Sequence, residues 1–263
     1  MRDRRQQQAR TGHELIYGRQ PVLEMLKAAR REVRRVLIVE SARPSADLEE
    51  IAALAATRTR NAVRVGQGRI GEIAGDVNHQ GVLAETGPYP YVAWEAVLQG
   101  VRECAEPALL LALDHIQDPQ NLGSLLRTAD ATGVHAVLIP TDRAVGVTPA
   151  AVRASSGAAE HLRVALVTNI VRSMEALKKD GLWFAGLEMG GDARLHTDVD
   201  LTGPMGVVVG SEGTGLGRLV RETCDYLIRI PMYGRVSSLN AGVAGAVALY
   251  EVRRQRLAAA RRA

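Results

Sequence analysis

The stretch Ala108-Leu-Leu-Leu-Ala-Leu-Asp-His-Ile-Gln-Asp-Pro-Gln-Asn-Leu-Gly-Ser-Leu-Leu-Arg127 decides the architecture. Its first six residues form an unbroken apolar run, the pattern of a strand buried on both faces. Asp118 then offers an N-cap and Pro119 a first-turn residue, and Leu122, Leu125, Leu126 and Ala129 recur at helical spacing. A strand therefore runs directly into a helix. Further apolar runs lie at 135–139, 163–167, 183–187, 206–209 and 226–230. Helical stretches separate most of them, and a last helix carries Leu239, Val243, Ala246, Val247 and Tyr250. The alternation predicts an α/β fold with a parallel sheet covered on both faces. Ligands of such sheets bind at the carboxyl ends of strands, which directs attention to the loops after Leu113, Val209 and Ile230.

Upstream of this region the chain reads differently. Residues 1–12 form a basic tail and 13–87 a small α/β domain. Residues 88–106 are a linker opening on a breaker-rich stretch, and 107–263 are the parallel-sheet domain. With 46% hydrophobic residues the chain can fill two cores, but aromatics at 3% leave few platforms for stacking bases. The net charge of +4 is unevenly placed. Arg2, Arg4 and Arg5 open the chain, Arg30, Arg31, Arg34 and Arg35 cluster, and Arg253, Arg254, Arg256, Arg261 and Arg262 close it. Such runs suit a polyanion, although terminal charge can also serve solubility alone. Cys104 and Cys224 have no metal-type spacing, nor do His115, His135 and His161, so no metal is expected and the histidines read as structural. No apolar run is long enough to span a bilayer and no signal peptide is visible, which makes the cytoplasm the expected compartment.

Three segments carry candidate chemistry. After the first strand, Asn121, Gly123, Ser124 and Arg127 decorate the start of a helix, where Gly123 costs about 1 kcal/mol against alanine and implies a close approach. Val207-Val-Val-Gly-Ser-Glu-Gly-Thr-Gly-Leu216 runs from a buried strand into a glycine-rich loop holding one acid. Its G-x-x-G-x-G order is not the dinucleotide fingerprint, which argues against a nucleotide-dependent oxidoreductase. Ile230-Pro-Met-Tyr-Gly-Arg-Val-Ser-Ser-Leu-Asn240 opens the last helix, with Ser237 or Ser238 as its expected cap. Each segment alone is compatible with an ordinary turn or cap.

Together, Asn121-x-Gly-x-x-x-Arg127, Gly210-x-Glu-Gly and Ser237-Ser-Leu-Asn240 resemble, in order and spacing, the three motifs of the SpoU (TrmH-like) branch of the SPOUT RNA 2′-O-methyltransferases. Tyr17-Gly-Arg-Gln-Pro-Val-Leu-Glu and His79-Gln-Gly81 resemble the substrate-binding domain of the 23S rRNA guanosine-2′-O-methyltransferase subgroup. The resemblance implies a SPOUT domain with a deep trefoil knot, a bound S-adenosyl-L-methionine, a homodimer, and methyl transfer to a ribose 2′-oxygen, most readily a guanosine of 23S rRNA. tRNA guanosine and rRNA adenosine are the alternative substrates, and a non-catalytic RNA-binding assembly factor is the rival from another class. Carried over, the catalytic residues are Arg127, Asn121, Glu212, Ser238 and Asn240. The cofactor contacts are Gly210, Glu212, Gly213, Leu216, Ile230, Met232 and Leu239. The candidate RNA contacts in the first domain are Arg19, Arg30, Arg31, Arg34 and Arg35. Ala241-Gly242 departs from the Val-Ser of many relatives and leaves the named residues intact.

Overall fold

The computed structural model describes residues 12–59 and 62–262. The basic tail up to residue 11, with Arg2, Arg4 and Arg5, lies outside them. The described residues form two compact units, one of those up to Pro90 together with Val147–His161, the other of Tyr91–Gly146 together with those from Leu162 on.

The first unit is a four-stranded sheet in the order β1-β4-β2-β3, built from β1 (Glu14–Tyr17), β2 (Val33–Val39), β3 (Ala62–Val65) and β4 (Val82–Thr86). β4 runs antiparallel to both neighbours, and β2 pairs parallel with β3, so β1, β2 and β3 point the same way. Each is followed by a helix: α1 (Arg19–Ala28), α2 (Ala46–Arg58) and α3 (Gln67–Ala74). Ile16, Val22, Leu26, Leu37, Ile51 and Leu83 are buried in this unit. Sequence spacing indicated α1 and α2, but β1 and α3 were not legible: β1 is four residues long, and Gly68 and Gly71 make α3 read as turns.

The segment 147–161 lies within the second of the two domains drawn from sequence, yet it packs with the first unit. It contributes helix α6 (Pro149–Ala154) and a 3-10 turn (Ala158–His161). The tie is a buried ion cluster: Arg31 contacts Glu160 at 2.9 Å and Glu14 at 2.5 Å and donates to the Gly87 carbonyl. Tyr89 lies under the Arg31 guanidinium and donates its hydroxyl to the Ala159 carbonyl at 2.7 Å.

The second unit is a seven-stranded sheet in the order β7-β6-β5-β10-β8-β11-β9, with every pair parallel. Its strands are β5 (Leu109–Asp114), β6 (Ala136–Pro140), β7 (Val164–Val167), β8 (Trp183–Leu187), β9 (Arg194–Leu195), β10 (Met205–Gly210) and β11 (Tyr226–Arg229). One face is covered by α4 (Trp94–Arg102), α7 (Ile170–Lys179) and α8 (Arg218–Thr223), through Val97, Met174, Leu177 and Val220. α5 (Pro119–Ala131) and α9 (Ala241–Ala260) pack on one another, and α9 also packs on β10. They approach closely: a Cβ on Gly245 would stand 2.3 Å from Leu125 and 3.2 Å from Val209, and one on Gly242 would stand 2.9 Å from Ser124. The glycine at 242 therefore fits a crossing with no room for a side chain there unless Ser124 shifts. Strand order reverses direction between β5 and β10, which makes their carboxyl ends the topological switch point.

Two expectations are corrected here. The cap of α9 is Asn240, whose Oδ1 accepts from the Gly242 and Val243 amides at 3.0 and 3.3 Å, rather than Ser237 or Ser238. The arginines of α9 are mostly structural. Arg253 donates to the Thr132 and Gly133 carbonyls and pairs with Glu106; Arg256 donates to the Pro107, Ala108 and Gly203 carbonyls; Arg254 pairs with Glu251. Arg253 and Arg256 latch α9 to the amino-terminal edge of the sheet while Arg254 pairs within the helix, so of that run Arg261 and Arg262 are left as simply exposed charge.

Candidate functional site

Chemistry at a parallel-sheet switch point is supplied by the loops that leave it. β10 ends at Gly210, and the next residues close on themselves: Ser211 and Gly215 exchange backbone hydrogen bonds at 3.1 and 3.0 Å. Gly213 and Gly215 hold φ of 85° and 66°, the left-handed region that favours glycine. Gly210 is required for a different reason. A Cβ there would lie 2.3 Å from the Gly215 carbonyl carbon and 2.5 Å from the Leu216 nitrogen, so the returning backbone occupies the space a side chain needs. At the neighbouring strand end, buried Asp114 accepts the Gly217 amide at 2.6 Å and pins the loop to β5.

A cavity of about 790 Å³ opens beneath this loop. Gly210, Glu212, Gly213, Ile230, Met232 and Leu239 line it, as do Ser238 and Asn240. Leu216 does not: its side chain is buried in the core beside Gly186, because the loop turns it inward. Sequence reasoning missed the wall formed by Leu187, Glu188, Met189 and Gly190. The signal was present, since these residues follow a strand whose carboxyl end reaches the same sheet edge.

In the wall, Asn121, Glu212 and Asn240 form a closed hydrogen-bonded set. Asn121 Nδ2 donates to Glu212 Oε1, and Asn240 Nδ2 donates to Asn121 Oδ1 at 2.7 Å and to Glu212 Oε1 at 3.1 Å. The orientation of Asn240 is dictated by capping: its oxygen must face the α9 amides, so its NH₂ must face the carboxylate. Asn240→Ala is expected to cost about 1 kcal/mol by urea unfolding, the usual worth of an N-cap. Asn240→Ser keeps a capping oxygen and should regain most of that loss. Equal destabilisation by both would show that the side-chain set, and not the cap, carries the effect.

A second cavity of about 370 Å³ adjoins the first, lined by His115, Gln117, Asp118, Asn121 and Thr214, and it shares Ser211 and Glu212 with it. Burial pushes the Cys224 thiol up to about 12, so this cysteine is no nucleophile. Among the described residues no group of histidine, cysteine or acid side chains could hold a metal, and no helix is long and apolar enough to cross a membrane.

Arg127 sits on α5 one turn beyond Gly123 and Ser124, at an exposed position that lines neither of these two cavities.

The chain matches the family model described as "SpoU rRNA Methylase family" over residues 108–250 and that described as "RNA 2'-O ribose methyltransferase substrate binding" over residues 15–92. This chain belongs to the SpoU rRNA methylase family. It is 42% identical over 248 residues to the 23S rRNA (guanosine-2′-O-)-methyltransferase RlmB of Pseudomonas syringae pv. tomato, covering 93% of this chain and 97% of that protein. It is 38% identical to the putative TrmH family tRNA/rRNA methyltransferase YacO of Bacillus subtilis, covering 93% and 96%. The crystal structure of the SpoU methyltransferase AviRb from Streptomyces viridochromogenes in complex with AdoMet is similar with a TM-score of 0.77 at 28% identity, covering 95% of this chain and 93% of that one. Of the motif residues named from sequence, Glu212, Ser238 and Asn240 line the cavity under the Gly210 loop, and Asn121, in the wall of the adjoining one, is hydrogen-bonded to Glu212 and Asn240.

Of the candidate RNA-binding arginines in the first unit, Arg31 is corrected. Its side chain is fully buried and neutralised by two carboxylates, so it cannot reach a phosphate. Arg35 is paired with Glu85, its register partner on β4. Arg30 donates to the Glu160 and Pro90 carbonyls, and Arg34 contacts His13 and Glu32. Arg19 alone of the five contributes to the wall of a cleft, described below.

Proposed function

We propose that this chain transfers a methyl group from S-adenosyl-L-methionine to a ribose 2′-oxygen of RNA, with a guanosine of 23S rRNA as substrate. The observation that carries this reading is the cavity under the Gly210 loop, walled by a carboxylate that two asparagines orient. The cavity fits the methyl donor: its volume suits a nucleoside derivative, and Ile230, Met232 and Leu239 offer apolar contact while the glycine loop offers backbone groups. The donor's sulfonium supplies an already activated methyl. What remains for the protein is to place the acceptor oxygen and to stabilise the charge that develops on it. The adjoining chamber is the place for the acceptor ribose, and Glu212, in both walls, sits between donor and acceptor.

Arg127 is assigned to the acceptor's phosphate and developing oxyanion. A guanidinium stays protonated and serves poorly as a base. Its place outside the walls of both cavities of one subunit supports a site completed in a homodimer. α9 turns Val243, Tyr250 and Leu257 outward at seven-residue intervals, with 48%, 56% and 61% of their surfaces exposed, and a second copy would cover them. Arg127→Ala is expected to slow transfer about 10²- to 10³-fold while leaving donor affinity unchanged. Near-normal turnover in that variant or in Arg127→Lys removes the role.

The first unit, spanning the substrate-binding match, holds the RNA, and the cytoplasm is the compartment where that substrate is found. A trefoil knot in the segment following β10 accords with β11 lying outside β8 while α9 returns to β10. The deciding experiment is transfer of labelled methyl from S-adenosyl-L-methionine to total RNA, followed by mapping of the reverse-transcription stop. A stop at a guanosine of 23S rRNA is the expected result. A stop in tRNA or at an adenosine reassigns the substrate, and no transfer leaves a non-catalytic RNA-binding protein.

A further inference from the structure

The carboxyl ends of β1, β2 and β3 meet the amino ends of α1, α2 and α3 at one edge of the first unit, and a cleft of about 560 Å³ opens there. Arg19 is built into its wall. The guanidinium donates to the Gln80 carbonyl at 3.2 Å, to Ser45 Oγ at 3.1 Å and to the Arg43 carbonyl at 3.5 Å. All three acceptors are neutral, and among the described residues no carboxylate lies within 4 Å of it. Its charge is therefore fixed in place but not cancelled, in contrast to the charges of Arg31 and Arg35.

The wall beside it is equally ordered. Gln80 holds a φ of 52°, strained for a residue with a side chain, and its Oε1 caps the Arg19 amide at 3.1 Å. The next residue, Gly81, has φ 82°, donates its amide to His79 Nδ1, and has Ala42 only 3.2 Å from where a Cβ would stand. Val39 and Ala42 add apolar surface. Gln20, Gln67 and Asp47 bring amide and carboxylate groups, with Gln20 Nε2 donating to Asp47 at 3.2 Å. α3 begins here with no side-chain cap; the Arg69 amide donates to the Gly66 carbonyl at 3.1 Å, which leaves the Gln67 and Gly68 amides at the helix start for a ligand.

We propose that this cleft takes one unpaired nucleotide of the RNA substrate. Its phosphate would lie against Arg19 and the α3 amides, and its base edge against Gln20, Gln67 and Asp47. The inference rests on reading the chain as an RNA-modifying enzyme. The deep, narrow major groove of A-form RNA keeps its base edges from side chains and the shallow minor groove is read mostly by shape, whereas a splayed nucleotide offers both edge and backbone. The cleft has no aromatic residue, so the base is held by edge hydrogen bonds and its identity matters.

The test uses the full chain and fluorescence anisotropy with two synthetic RNAs, a hairpin with a single-stranded loop and the same stem closed into a continuous duplex. Arg19→Ala should weaken hairpin binding about tenfold and lower the salt slope by about 1. Gln67→Ala, on an exposed side chain, should weaken it about three- to tenfold without changing that slope or the duplex affinity. Circular dichroism and urea unfolding report whether each variant is folded; if Arg19→Ala is not, Gln67→Ala decides. Hairpin binding unchanged in the folded variants, or lost in equal measure on hairpin and duplex, overturns the assignment. Methyl transfer by the wild-type chain to total RNA is read separately, so failure of the cleft and failure of the enzymatic reading are told apart.

Discussion

Gly210→Ala is expected to lower affinity for S-adenosyl-L-methionine at least about 100-fold, equivalent to some 2.7 kcal/mol. The cause is the returning loop. The added Cβ would fall 2.3 to 2.5 Å from backbone atoms of Gly215 and Leu216, well inside contact distance, and backbone cannot rotate away as a side chain can. The loop must open, breaking the paired hydrogen bonds between Ser211 and Gly215 and moving Glu212 off its two asparagine donors. The sheet should survive, because Gly210 is the last residue of β10, and overpacking of this kind costs about 1–3 kcal/mol. Calorimetry with the donor and urea unfolding separate the two effects. Affinity within threefold of wild type, in a folded variant, would move the donor away from this loop.

Arg31→Ala should destabilise the protein by about 3–5 kcal/mol, the effect of stranding a buried charge. Burial alone would lower the guanidinium's pKa, but Glu160 and Glu14 more than offset it and hold Arg31 above its ordinary value. Removing the guanidinium leaves Glu160, 1% exposed, without its counter-charge, leaves the Gly87 carbonyl without its donor, and removes the cation from the face of Tyr89. A paired replacement by apolar residues, Arg31→Met with Glu160→Leu, should recover much of the loss because no buried charge at Glu160 then remains. Urea unfolding of the two single variants and the double variant gives the coupling directly. Additive losses would mean that the pair is not a unit.

The parallel sheet, its strands and most of its helices were legible because buried strands and amphipathic helices write their periods into the chain. The strands at 108–113, 183–187 and 206–209 and the helix after Asp118 follow from apolar pattern and capping chemistry alone. The three motif loops were legible as well, since strand order in such sheets fixes where ligands bind. Charge was misread. Sequence reports that Arg31, Arg253 and Arg256 are basic, but whether a guanidinium meets a phosphate, a carboxylate or a carbonyl depends on what the fold places beside it. Tertiary structure alone decided that Asn240, and neither Ser237 nor Ser238, caps the last helix and thereby turns its amide toward Glu212. It likewise decided that Arg19 keeps an uncancelled charge in a cleft, and that Arg127 lines neither of the two cavities at the switch point. Local pattern is set by neighbours within a few positions of the chain. Pairing of polar groups is set by contacts between residues as far apart as 121 and 240, and no short-range signal records those.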